Sequence, residues 1–135
     1  MGSTSKKKVN KQSPVKNYIS WFEIPALNIE RAVNFYNHIY QIRMEVVTSN
    51  GYTMAFFPSE DGIGGAVVMG EGCIPGQTGV LAYLNGGKDL DRVLGRVEEA
   101  GGYIVLTKTL ITRQAGYFAL FIDTEGNKLA LHSKH

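Results

Sequence analysis

The stretch SWFEIPALNIERAVNFY, residues 20–36, decides how the rest of the chain is read. Trp21, Phe22, Glu23 and Ile24 read as a β-strand, and Pro25 to Asn28 as a turn into a helix. Side chains alternate faces along a strand, so Ile19, Trp21 and Glu23 share one face while Ser20, Phe22 and Ile24 share the other. A strand with one wet face would carry polar residues at every second position. This one carries large apolar residues both ways, which predicts cover on both faces and a carboxylate, Glu23, under one of the covers. Asn28 is a good N-cap. Ile29, Ala32, Val33, Tyr36, Ile39 and Tyr40 then recur at helical spacing and predict a helix over residues 28–40.

The same order continues and then repeats. Three strand-like runs follow the helix, RMEVVTS, YTMAFFP and GGAVVMG, separated by Asn50-Gly51 and Asp61-Gly62 turn signals. After the linker EGCIPGQTG the pattern restarts. GVLAYLN reads as a strand, KDLDRVLGRVEEAGG as a helix closed by Gly101 and Gly102, and YIVLTKT, YFALFID and KLALHS as three more strands, with DTEGN a tight turn. NIERAV in the first helix matches DLDRVL in the second, Arg31 falling on Arg92. Each half alone is a small sheet with a helix on one face and nothing on the other, and pairing two halves leaves a concave space between them. Phe22 and Ile24 are then expected under the helix, and Trp21 and Glu23 in that shared cleft.

Composition narrows the function classes. A chain of 135 residues with 44% hydrophobic and 19% charged residues is an ordinary globular domain. The only cysteine, Cys73, rules out a disulfide framework and a four-cysteine zinc site and fits a reducing, cytoplasmic setting. No apolar run approaches the roughly 20 residues of a membrane span, and no hydrophobic segment follows the basic N-terminus as in a secretory signal. Lys6, Lys7, Lys8, Lys11 and Lys16 make residues 1–17 a basic, acid-free segment, expected to be a flexible tail. The remainder holds 9 Lys and Arg against 12 Asp and Glu, with no basic stripe, so nucleic acid is not an expected partner. GIGG and GEGCIPG lack the spacing of a phosphate cradle and read as hairpin and linker glycines. Cys73 has no basic neighbour to activate it, and His38 reads as a surface residue.

FEIPALNIERAVNFY, GGAVVM, LDRVLGRVEEAGG and above all GYFALFIDTEGNKLALH, in that order, resemble the vicinal oxygen chelate superfamily of glyoxalase I, extradiol dioxygenases and bleomycin-resistance proteins. The resemblance covers residues 18–133. It implies an α+β fold of two βαβββ modules, about residues 18–70 and 78–133, forming a curved mixed sheet around a central cleft, usually in a homodimer. In many members the cleft holds one divalent metal on His, Gln or Glu side chains of the first and last strand of each module.

Carried onto this chain, those ligand positions fall on Trp21, on one of Ala66, Val67 and Val68, on Val80 (or Leu81, one residue on) and on Ala130. None has a side chain that binds a metal, and a catalytic zinc needs about three protein donors. The expectation is therefore no metal and no cofactor. The cleft is expected to be lined by Trp21, Glu23, Val80, Ala130 and His132. Glu23 and His132 are the candidate catalytic residues, either as a general acid/base pair or as groups that orient a ligand. In the plainer reading Glu23 accepts hydrogen bonds from neighbouring strands or from a buried Arg or Tyr, and His132 is partly solvated. Two functions fit: a metal-free protein that binds a small, partly apolar molecule, or a lyase, isomerase or dioxygenase related to glyoxalase I.

Overall fold

Asn28 caps the start of the first helix. Its backbone is extended, at φ −139° and ψ 106°, and its side chain accepts a hydrogen bond from Arg31 N at 3.1 Å. The computed structural model, which describes residues 12–135, shows strand β1 (Trp21–Pro25), helix α1 (Ile29–Tyr40), strands β2 (Glu45–Ser49), β3 (Tyr52–Phe56) and β4 (Gly64–Met69), then β5 (Tyr83–Asn85), α2 (Leu90–Leu94), β6 (Tyr103–Thr112), β7 (Gly116–Ile122) and β8 (Lys128–Ser133). Lys6, Lys7, Lys8 and Lys11 of the expected tail lie outside the described residues. The two halves do repeat strand, helix and three strands.

Each half makes a four-stranded mixed sheet. The orders are β1-β4-β3-β2 and β5-β8-β7-β6, with β1 parallel to β4, β5 parallel to β8 and the remaining pairs antiparallel. Asn50 and Gly51 both take positive φ, at 52° and 82°, which is the backbone of a two-residue hairpin joining β2 to β3. The helix faces of both sheets feed one core. Ala32, Phe35, Tyr36 and Ile39 of α1 are fully buried at the spacing of one helical stripe, with Ile24, Ala55 and Val67 of the first sheet and Ala119, Phe121 and Leu131 of the second in the same cluster. The Phe35 ring lies 6.0 Å from that of Phe121, across the two halves.

The second helix is shorter than its apolar spacing predicts. Leu90, Val93, Leu94 and Val97 are buried as one stripe, but regular α-helix stops at Leu94. Gly95 follows, a residue that disfavours a helix interior by about 1 kcal/mol relative to alanine. Beyond it Arg96 N and Val97 N bond back to Val93 O and Leu94 O, the tighter three-residue step. The expected closure at Gly101 and Gly102 is thus a series of turns rather than a helix end.

The joint between the halves is polar and buried. The DTEGN turn after β7 holds Glu125, whose side chain has no exposed surface. Its Oε1 accepts from Leu27 N at 2.9 Å, Asn28 N at 2.8 Å and Arg31 Nη2 at 3.0 Å, and its Oε2 from Arg31 Nε at 2.8 Å and Thr124 Oγ1 at 2.9 Å. Tyr36 donates to Asp123 Oδ2 at 2.7 Å, and Asn127 Nδ2 donates to Pro25 O at 2.7 Å. Asn127 Oδ1 accepts from Gly76 N at 3.2 Å, and Lys128 N bonds Gly76 O at 3.2 Å. The linker, which its glycines mark as flexible, is pinned at Gly76.

Burial pushes the Glu125 carboxyl up, but hydrogen bonds from Arg31, Asn28, Thr124 and Leu27 outweigh it and hold the group below the ordinary glutamate range. Burial raises the Tyr36 hydroxyl far above its usual range, with the Asp123 charge and hydrogen bond adding to the effect, so Tyr36 stays a donor. Glu125→Ala strands these donors and is expected to lower stability by about 3 kcal/mol, roughly 10 °C in melting temperature. With a depressed folded-state pKa, the Glu125 contribution is complete above the ordinary glutamate pKa and is lost as pH falls through the lower folded value. Glu125→Gln should therefore flatten the acid limb of the stability profile. Thermal melts from neutral to acid pH check both, and an unchanged melting temperature would show that this joint does not hold the halves together.

Candidate functional site

On each sheet the residues that alternate with those of the shared core point away from the helices. In the first sheet these include Trp21 and Glu23 of β1, the positions that alternation in the opening stretch singles out. Trp21 keeps 44% of its surface, and its ring leans across β4 toward Phe56 of β3, 6.1 Å away. Gly64 makes room, since a Cβ there would stand 3.0 Å from the indole. Trp21 Nε1 donates to Glu23 Oε2 at 3.3 Å, a long and exposed bond. Phe22, on the other side of β1, packs against the core as expected.

In the second sheet β8 places Ala130 and His132 on the corresponding face. Ala130 pairs with Tyr83 and is fully buried, and His132 lies between Asn85 of β5 and Phe118 of β7. The rings of Tyr83 and Phe118 are 6.2 Å apart. His132 Nε2 is 2.6 Å from Ala115 O. A carbonyl can only accept, so this nitrogen carries the hydrogen, and in the neutral ring Nδ1 is the acceptor left over. Tyr83, Asn85, Gly87, His132 and Lys134 border an open hollow of about 590 Å³.

Val80 does not sit where the sequence reading puts it. GVLAYLN reads as one strand from Gly79, but only Tyr83–Asn85 is a strand, and Val80 is 97% exposed in the preceding loop. Pairing, not apolarity, sets where β5 begins, and its register runs only from Tyr83 opposite Ala130 to Asn85 opposite His132. Glu23 of β1 faces Ala66 of β4 as Tyr83 of β5 faces Ala130 of β8, so Tyr83 is the second-module counterpart of Glu23. Glu23 and His132 lie on different sheets, and each is bonded elsewhere, Glu23 to Trp21 and His132 to Ala115. Phe56, Tyr83 and Phe118 are open-face residues that the sequence reading left out. Alternation in YTMAFFP puts Tyr52, Met54 and Phe56 on one side and was the available signal.

A metal of the kind the resemblance implies does not fit these donors. The register sets Trp21 against Gly64, Glu23 against Ala66 and Tyr83 against Ala130. Among the described residues no three His, Cys, Asp or Glu converge, and a catalytic site takes about three protein ligands.

No family model matches the chain, and no curated protein does. Solved structures do match. A glyoxalase/bleomycin resistance protein from Albidiferax ferrireducens superposes with a TM-score of 0.65 at 15% identity, over 88% of this chain and 100% of that one. TnmS3, an antibiotic binding protein from a Streptomyces species, gives 0.58 at 19% identity over 90% and 98%. A mutant of FosX, a fosfomycin resistance protein from Listeria monocytogenes solved with manganese(II), gives 0.62 at 13% identity over 90% and 93%. Two four-stranded sheets in βαβββ order, matched over about nine-tenths of the chain, give this chain the fold of the solved glyoxalase/bleomycin resistance proteins.

Proposed function

We propose that the chain binds a small, partly apolar molecule on the open sheet faces, without a resident metal. The observation that carries this reading is the aromatic surface left uncovered there. Trp21, Tyr83 and Tyr103 stay 44%, 54% and 64% exposed although each stands on a β-strand. Large exposed apolar area on a rigid sheet marks an interaction site. The antibiotic binding TnmS3 has a similar fold, which is in keeping with a binding role. A glyoxalase-related lyase, isomerase or dioxygenase fits less well, because its two candidate acid/base groups, Glu23 and His132, are on separate sheets with separate partners.

The active form in this reading is a homodimer. The outer strands of the two sheets, β2 and β6, expose Val46, Val47, Val105 and Leu110 on free edges, and such edges invite cover. In the same reading residues 18–133 form the domain, and the single Cys73 suits the cytoplasm.

Three measurements check this. Light scattering at micromolar concentration is expected to give about twice the 14.8 kDa chain mass, and a result near 14.8 kDa would remove the dimer. Elemental analysis of untagged, dialysed protein should find well under about one equivalent of zinc, nickel, iron or manganese, whereas one equivalent would restore the metalloenzyme reading. Glu23→Gln should change stability by less than about 0.5 kcal/mol, as an exposed side chain outside any buried network does. A drop of several kcal/mol in its thermal melt would make Glu23 structural.

A further inference from the structure

The open face of the first sheet carries charge of one sign only. None of its four strands contains a Lys, Arg or His. Register runs a single row across it, Glu23 on β1, Ala66 on β4, Phe56 on β3 and Glu45 on β2. The row is a carboxylate at each end with a fully buried alanine and an aromatic ring between. At about 4.8 Å per strand the two acids stand roughly 14 Å apart. Trp21 borders the row, its ring tilted 56° to that of Phe56. The ion pairs among the described residues are made by Arg31, His38 and Lys108, with partners other than Glu23 and Glu45. On the second sheet the matching face carries Lys128 and His132 instead.

We propose that the Trp21, Glu23 and Phe56 side of the first sheet selects a flat organic cation, its charge held over the indole and against the Glu23 carboxylate. This deepens the small-molecule reading above and rests on it. The chemistry is complementary in each part. A flat aromatic body lies against the exposed part of the Trp21 indole, which packs on Phe56 and covers Gly64 beneath it, with the exposed Glu23 carboxylate alongside. Tryptophan has the most electron-rich face for a cation. The single hydrogen bond from Trp21 Nε1 leaves most of the Glu23 carboxylate open to a positive group. A neutral ligand of the same shape would keep the stacking and lose both charge contributions.

Trp21 is the only tryptophan, so its emission reports this face. The full chain is titrated at low salt and mildly alkaline pH with N-methylacridinium, with neutral acridine and with acridine-9-carboxylate. The cation is expected to bind about tenfold more tightly than acridine, and the anion more weakly than either. Glu23→Gln should erase most of that gap while leaving acridine within about twofold, and added salt should narrow it. Acridine binding as tightly as the cation, or a gap that survives Glu23→Gln, overturns the selectivity and leaves the small-molecule reading standing. No response to any of the three overturns both. Trp21 emission that shifts on dilution without probe, with all three probes competing against protein concentration, gives the face to a second copy of the chain and overturns the proposal.

Discussion

A carboxylate with no exposed surface must be surrounded by donors, and five hydrogen bonds converge on Glu125. Two come from the backbone that leads into α1, where amide N–H groups lack helical partners and the positive end of the helix dipole lies. Two come from Arg31, whose guanidinium fork matches the carboxylate at both oxygens. The acid belongs to the second module and four of its donors to the first. The modules therefore have to meet in one register, or a buried charge goes unpaired. Asp123 and Asn127, two residues to either side, extend the same demand to Tyr36 and to Pro25 O.

The consequences reach the outer faces. Asn127 holds the last carbonyl of β1, so the strand enters α1 at a fixed point. With Ile24 then committed to the core, alternation leaves Trp21 and Glu23 no choice but the opposite side. Tyr40 adds a second tie at the far end of α1, through its hydroxyl to Asn85 O of β5 at 2.7 Å. Rigid sheets carrying uncovered aromatic rings follow from joints that are satisfied elsewhere, which is the arrangement that positions a binding surface well.

Local chemistry is what the sequence displays, and the elements that local chemistry governs are the legible ones. Asn28 as a cap, Asn50-Gly51 as a hairpin and KLALHS as a strand each depend on residues a few positions apart, and each is present. DTEGN reads only as a turn because the partners that tie its acids to the first module are 87 to 98 residues away in the chain. The length of α2 was misread because four apolar residues keep helical spacing through Gly95, where the backbone tightens. Val80 was misplaced because an apolar run does not say where pairing starts. For the same reason only half of the candidate open face was legible. Alternation identifies Trp21, Glu23, Ala130 and His132 as open-face residues, while Phe56, Tyr83 and Phe118 look like core until the register is known.

The account turns on the Glu125 joint holding the two modules as one unit, with β1 fixed at its end. Hydrogen exchange of the Leu27 and Asn28 amides, which donate to Glu125 rather than to any helix or strand, tests that most directly. The account predicts protection equal to that of the Ala119 and Leu131 amides in the second sheet, since both sets can open only when the whole domain unfolds. Exchange of Leu27 and Asn28 many times faster, by local opening while the second sheet stays protected, would contradict it.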